Sequence, residues 1–310
     1  HTYDFDTKYS KRVAYFSMEF AIDQALKVYS GGLGFLAGSH MRSAFELRQN
    51  VVGIGLLWSY GYYNQSRNEN RSLKAEFIRK HYYYLQDLGI LATVKIHSQD
   101  VHVKAFYLAP NIFNSAPLIL LTTDIAENDF LARTITHKLY DSNEETRISQ
   151  EIVLGIGGTK VLEALEQKIE VYHMNEGHAL PLVYELYSKF GDMEKVRART
   201  VFTTHTPETA GNEEHDIHLL SKMGFFGGSQ LHEVRGVTGI EGDKLHPIKK
   251  HVKPNADREF PEGGIIEKNP TVHISNLMVV ANGTASKVGR KLNDAGEIVR
   301  YSKKTGEEIK

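Results

Sequence analysis

The stretch VAYFSMEFAIDQALKVYSGGLGFLAGSHMRSAFEL, residues 13–47, sets the reading of the fold. RVAYFSMEF reads as a β-strand and its polar exit. Four glycines then fall within eight positions: Gly31, Gly32, Gly34 and Gly38. GFLAGSHMRSAFELRQ follows as a helix, with Phe35, Leu36, Met41, Ala44, Phe45 and Leu47 as its apolar residues. Glycines just before a helix let backbone N–H groups approach an anion, and the helix N-terminus adds partial positive charge. A phosphate is the natural guest. The plain alternative is a tight turn packed on a sheet. Gly32, Gly34 and Gly38 also form a loose dinucleotide-type spacing, which leaves a nucleotide-dependent oxidoreductase as a weaker reading.

Moving outward, β-rich apolar runs alternate with helical patterns. VVGIGLLWSYGYYNQ, VHVKAFYLA, PLILLTTD, VYHMNEGH and VRARTVFTTHTP read as strands or strand ends. RISQEIVLGIGGTKVLEAL reads as a helix or helix pair, its Gly155, Gly157 and Gly158 suited to close helix packing. This alternation predicts an α/β fold with a mainly parallel sheet, whose ligands bind beyond the C-terminal strand ends.

The 310 residues are 41% hydrophobic and 24% charged, with a net charge of −1. That is ordinary for a globular protein and carries no whole-chain polyanion-binding signature. There are no cysteines, which excludes disulfides and thiolate metal sites and fits a reducing, cytoplasmic location. No apolar run reaches membrane-spanning length, and HTYDFDTKYSKR at the start is too polar to be expected as a signal peptide. The first residue is His, so the chain is expected to be a piece of something longer. From Leu245 onward, 12 Lys and Arg face 8 Asp and Glu, a net of +4, which leaves −5 for residues 1–244. Texture changes at the same point, from long helical segments to short runs broken by Gly, Pro and Asn. A domain boundary is expected near residue 245, separating 1–244 from a small β-rich segment, 245–310.

Two polar clusters follow apolar runs. VYHMNEGHALP carries Asn175, Glu176, Gly177 and His178. VFTTHTPETAGNEEHD carries Thr203, Thr204, His205 and Thr206. Polar groups at strand ends form the floor of a cleft. His173, Glu176 and His178, or His215 and His218, admit a metal reading, but the first spacing is not the helical His-Glu-x-x-His pattern, the second has no further support, and no metal is expected. A lone His205 would by default be a satisfied structural histidine; its neighbours favour substrate binding.

Together with GIGLLWSYGYYNQ, YHMNEGHALP and VFTTHTPETAGNEEHD, the opening stretch resembles the α-glucan (glycogen, starch) phosphorylases in their shorter bacterial form. The resemblance runs from about residue 10 to about 244. It implies the N-terminal Rossmann-like lobe of a GT-B type fold. It also implies phosphorolysis of an α-1,4-glucan to glucose 1-phosphate. Pyridoxal phosphate would be held on a lysine of a second lobe. On the same basis Glu19 and His205 are expected beside the reacting sugar as catalytic residues. Gly31, Gly32 and Leu33 would line the phosphate, and Asn175, Glu176, His178 and Thr206 would flank it. The lysine-bearing motif of the second lobe is not found: Lys160 and Lys304 lie in the wrong context. This chain alone is therefore expected to have no phosphorolytic activity, and to self-associate through its exposed lobe interface.

The tail has a resemblance of its own. EGGII, HISNLM, KVGRK and VRYSKKTGE look like the C-terminal half of the KOW-type large-subunit ribosomal protein of family twenty-four, over about 247–310. That likeness implies ribosomal RNA contact through Lys249, Lys250, Lys253, Arg290, Lys291, Arg300, Lys303 and Lys304. The alternative is a solvated charged face. Two unlike halves in one chain read as a chimera.

Overall fold

A computed structural model describes residues 4–205, 214–240 and 242–245, together with the backbone of the short strands 250–252, 264–266, 279–281, 284–286, 288–292 and 298–302. The chain divides into two compact units, His1–Thr206 with Asn212–Ile266, and Pro207–Gly211 with Glu267–Lys310.

The first unit is built on one seven-stranded sheet. Its strands are β1 (Val13–Phe16), β2 (Val51–Leu56), β5 (Gln86–Ile96), β6 (Gln99–Leu108), β7 (Leu118–Thr122), β8 (Val171–Asn175) and β9 (Thr200–Thr203), in the order β5-β6-β7-β2-β1-β8-β9. A separate hairpin, β3 (Asn64–Arg67) and β4 (Leu73–Glu76), stands apart from it. From β7 to β9 every pairing is parallel; β5 and β6 add an antiparallel edge. The mainly parallel sheet expected from the alternation is therefore present, with a hairpin on one side. β2 and β7 are buried along their whole length. Covered on both faces, such strands read as unbroken Val, Ile and Leu runs rather than alternating ones.

The helices are α1 (Gly32–Glu46), α2 (Pro110–Phe113), α3 (Phe130–Thr134), α4 (Glu144–Ile152), α5 (Gly158–Ala164), α6 (Pro181–Phe190), α7 (Met193–Arg197), α8 (Ile217–Met223) and α9 (Leu231–Thr238). A π-helical turn, Val153–Gly157, joins α4 to α5. An ideal Cβ on Gly155 would lie 2.8 Å from Leu182 N and 2.9 Å from Ala179 O, so this turn packs directly on the backbone behind the Asn175–His178 loop. A Cβ on Gly158 would meet Ile54 and Phe16 at 2.8 Å. Close packing explains both glycines.

Helix α1 is present, but its buried face differs from expectation. Gly34, Ala37, Gly38, Met41 and Ala44 face inward at helical spacing. Phe35 is 59% exposed, Leu36 40% and Leu47 52%. The small residues let the helix backbone approach its neighbours. A Cβ on Gly38 would stand 2.1 Å from Ala21 O, and one on Gly34 would stand 2.6 Å from Tyr29 Cβ. No side chain fits at positions 34 and 38, and Phe35 and Leu36 lie on the outward face.

In the tail the backbone pairs β12 (Lys250–Val252) with β13 (Gly264–Ile266), β14 (Val279–Ala281) with β15 (Thr284–Ser286), and β16 (Val288–Leu292) with β17 (Ile298–Ser302), each antiparallel. A two-residue pair, β10 (His215–Asp216) with β11 (Lys244–Leu245), precedes them.

Candidate functional site

The chain leaves β1 towards β2 on one side, and later returns through β8 to the other side of β1. This reversal is a topological switch point, and open parallel sheets bind ligands in the crevice beyond the C-terminal strand ends at such a point, here those of β1 and β8. Ser17 and Glu19 lie just past β1. Asn175 ends β8, with Glu176 next. Thr204 and His205 follow β9.

Glu19 is 1% exposed. Its Oε2 accepts the backbone N–H of Ser30 at 2.6 Å and of Gly31 at 3.2 Å, and its Oε1 accepts the Tyr140 hydroxyl. Burial, then the hydrogen bond to Glu19, pushes the Tyr140 hydroxyl well above its ordinary value, so it stays a donor. Thus Gly31 gives its N–H to a carboxylate of the same chain. Gly32 and Leu33 stand in the first turn of α1, where N–H groups have no intrahelical acceptor. An ideal Cβ on Gly31 or Gly32 meets nothing within 4 Å, so space is open on that side of the loop. Gly34 and Gly38, by contrast, are used for seating the helix. The loose dinucleotide spacing therefore has a packing explanation.

Asn175 and Glu176 grip His205 at two points. Asn175 Oδ1 lies 3.0 Å from His205 Nε2. Glu176 Oε1 accepts the His205 backbone N–H at 2.5 Å, and its Oε2 accepts the Thr204 hydroxyl at 3.0 Å. Glu176 N–H donates to Thr203 O at 2.8 Å. The Glu176 backbone sits at φ 64°, ψ −179°, a region nearly reserved for glycine. Such strain persists only where surrounding contacts over-determine it, and it concentrates at ligand sites. His178 lies half-buried in the 3₁₀ turn Gly177–Ala179. Thr206 lies outside the described residues.

Beside this cluster three rings meet: Tyr15 lies tilted against His40 at 4.6 Å and edge-to-face with His173 at 4.9 Å between centroids. Burial, with His40 and His205 nearby, holds His173 down at about 4, so the ring is neutral, and its Nε2 lies 2.7 Å from Thr203 Oγ1. His215 pairs with Glu144 at 2.8 Å, and His218 faces Asp243 at 3.6 Å. No set of three or more metal-ligating side chains stands together among the described residues. Also among the described residues, no helix is long and apolar enough to cross a membrane.

The tail positions are Lys250 on β12, Arg290 and Lys291 on β16, and Arg300 on β17; Lys249, Lys253, Lys303 and Lys304 lie outside the described residues. The strand register sets Arg290 opposite Arg300. Sequence reasoning missed Tyr140, whose bond to Glu19 spans 121 residues. It also gave Ser17 no role, although Ser17 stands two residues before Glu19.

A family model for the C-terminal domain of large ribosomal subunit protein uL24 matches residues 245–309. Glycogen phosphorylase of Mycobacterium tuberculosis is 35% identical over 234 residues, covering 68% of this chain and 27% of that protein. The chain joins phosphorylase-like and uL24-like sequence. On the phosphorylase-like side, the uncharacterized protein MJ1631 of Methanocaldococcus jannaschii is 54% identical over 217 residues, 70% of this chain and 41% of that protein. On the other, uL24 of Porphyromonas gingivalis is 55% identical over 73 residues, 23% of this chain and 65% of that protein. The chain thus spans 41% and 27% of the lengths of the first relatives it matches.

Pyridoxal phosphate, which the phosphorylase relationship implies, needs an amine for its Schiff base and groups for its phosphate. Lys160 directs its Nζ to Thr93 O at 3.1 Å, in contact with β5 and away from the crevice. Lys304 is outside the described residues. Of these two lysines, the described one, Lys160, does not fit the cofactor.

Proposed function

We propose that the crevice between β1 and β8 is the N-terminal half of an α-glucan phosphorylase active site on a GT-B type lobe. Within it the chain would bind the glucosyl unit that passes between an α-1,4-glucan and phosphate. The supporting observation is the convergence of the α1 N-terminus, Asn175, Glu176 and His205 on one strand-end crevice, in a chain 35% identical to a glycogen phosphorylase. Gly32 and Leu33 offer backbone donors towards phosphate charge, aided by the helix dipole. His205 presents its ring to a sugar hydroxyl. Glu19 acts by holding the loop through Ser30 and Gly31. His178 and Thr206 flank the sugar. We place the protein in the cytoplasm, with residues 1–244 as the lobe and 245–310 as the second part.

With the cofactor lysine placed by the family resemblance on a second lobe, the chain by itself is expected to bind without turning over. Calorimetric titration with a malto-oligosaccharide, with and without inorganic phosphate, tests this. Saturable binding that His205→Ala abolishes supports it. No binding, in a chain whose buried Trp58 reports a folded core, overturns it.

A second reading applies to the tail. The uL24 match supports it, as does the strand register that sets Arg290 opposite Arg300. Like charges directly opposite destabilise a sheet, and a phosphate backbone relieves that repulsion. We therefore propose RNA contact by Lys249, Lys250, Arg290, Lys291, Arg300, Lys303 and Lys304. Binding of a ribosomal RNA fragment that weakens steeply with salt is the expected result. Binding that ignores salt would contradict it.

A further inference from the structure

We propose that Ser17 and Asn175 are positioning residues that fix the tautomer of His205. They leave Nε2 protonated and Nδ1 as the hydrogen-bond acceptor for substrate.

The argument starts at a backbone carbonyl. Ser17 Oγ donates its one hydrogen to Glu19 O at 2.9 Å. A carbonyl oxygen only accepts, so the direction of that bond is not in doubt. With its hydrogen engaged, Ser17 Oγ is an acceptor for its next neighbour, Asn175 Nδ2 at 3.1 Å. The orientation of the Asn175 amide is then settled, with Oδ1 turned to His205 Nε2 at 3.0 Å. An amide oxygen cannot donate, so Nε2 must carry the hydrogen. In the neutral ring Nδ1 is left with a lone pair. Ser17 is wholly buried and Asn175 is 1% exposed, so water does not compete for the two inner links. The backbone of His205 is held separately by Glu176, and among the described residues it is the side-chain relay that meets Nε2.

The consequence for recognition is definite. A ring whose Nδ1 accepts will take a hydrogen bond from a sugar hydroxyl, and it will not donate one to a phosphate oxygen from that atom. This assignment of the ligand group rests on the glucan-phosphorylase reading. The tautomer itself does not.

The test is long-range 1H–15N correlation on the full chain with 15N-histidine, the His205 signals being assigned by their loss in His205→Gln. In the unmodified chain near neutral pH, Nε2 should resonate as a pyrrole-type nitrogen and Nδ1 as a pyridine-type one. Asn175→Asp keeps an acceptor at the same place and should keep that pattern. Ser17→Ala frees the amide to rotate and should give averaged signals. The proposal is overturned if Nδ1 carries the hydrogen in the unmodified chain, or if Ser17→Ala, folded by its Trp58 fluorescence, leaves the pattern unchanged. The first of these needs no variant to fold. Adding malto-oligosaccharide then separates the two readings. A shift at Nδ1 alone places the hydroxyl there. No shift with the tautomer intact removes the substrate assignment and leaves the relay standing.

Discussion

Replacing Gly38 by alanine should unseat helix α1. The added Cβ would lie 2.1 Å from Ala21 O and 2.6 Å from Ala21 C. Both are backbone atoms, so no side-chain rotation relieves the contact. Reaching ordinary van der Waals separation moves helix and loop apart by roughly 1 Å. Overpacking of this kind costs about 1–3 kcal/mol, and a backbone neighbour puts it near the upper figure. Alanine returns about 1 kcal/mol through helix propensity. The net expectation is a loss of about 2 kcal/mol, a large fraction of a typical domain's stability. The assay is urea unfolding followed by the fluorescence of Trp58. It is the chain's one tryptophan, wholly buried, with Nε1 donating to Met18 O at 3.3 Å, close to the strained contact. At an m-value of about 2 kcal/mol/M the midpoint should fall by about 1 M. Gly32→Ala is the control: its Cβ meets nothing within 4 Å, and its midpoint should hold or rise slightly. If Gly38→Ala unfolds at the wild-type midpoint, or if Gly32→Ala is equally harmful, the packing account of the glycine spacing is wrong.

Acidification should weaken the first unit through His173. Its folded value is held at about 4 against an ordinary 6.5, so the unfolded chain takes up the proton first. Stability is therefore full above 6.5 and declines as pH falls from 6.5 towards 4, with His40 displaced in the same direction. The urea midpoint should drop less between about pH 7 and about pH 5 in His173→Gln than in the unmodified chain; equal drops would exclude His173 as the cause. Ser98 holds φ 65° in the turn between β5 and β6. Ser98→Gly should raise stability by about 0.5–1 kcal/mol, as relief of left-handed strain outweighs the entropy of glycine, and an unchanged or lower midpoint would deny that strain. Converting Arg290 and Lys291 together to glutamine should reduce the salt slope of RNA binding by about 2; a slope that stays put would show that these two residues touch no phosphate.

What was legible in the sequence was what local chemistry dictates. β1, the glycine loop and α1 follow one another along the chain, and VVGIGL and LILLT are runs that only a strand covered on both faces explains. β5 was not legible. It pairs with β6 through His97 and Ser98, at φ 50° and 65°. A mirror-image turn of that kind usually announces itself by Asn-Gly, and here the pair is His-Ser. The face of α1 was also misjudged, because hydrophobic patterning rewards Phe35 and Leu36, whereas the packing needs Gly34, Ala37 and Gly38. At the proposed site, Glu19, Asn175, Glu176 and His205 were singled out from motif position. Their bonds were not, since each joins residues far apart in the chain: 158 residues separate Asn175 from Ser17, and 121 separate Tyr140 from Glu19.

Those long separations explain why the Glu176 backbone can stay in a conformation that most side chains avoid. Its N–H is fixed to Thr203 O, and its carboxylate to His205 N–H and Thr204 Oγ1, three links to the end of a neighbouring strand. Behind it, Gly155 lets the π-helical turn press against Ala179 and Leu182, so the loop cannot relax backward. One residue earlier, Asn175 is locked to Ser17 and, through it, to the Glu19 carbonyl. Strain of order 1–3 kcal/mol at one residue is offset by bonds that exist only while β1, β8 and β9 keep their register. The crevice geometry is thus a property of the whole parallel sheet. It should vanish cooperatively with that sheet rather than loosen residue by residue, and amide exchange at Glu176 and His205 should accordingly track the unfolding of β8 rather than that of the surface loops.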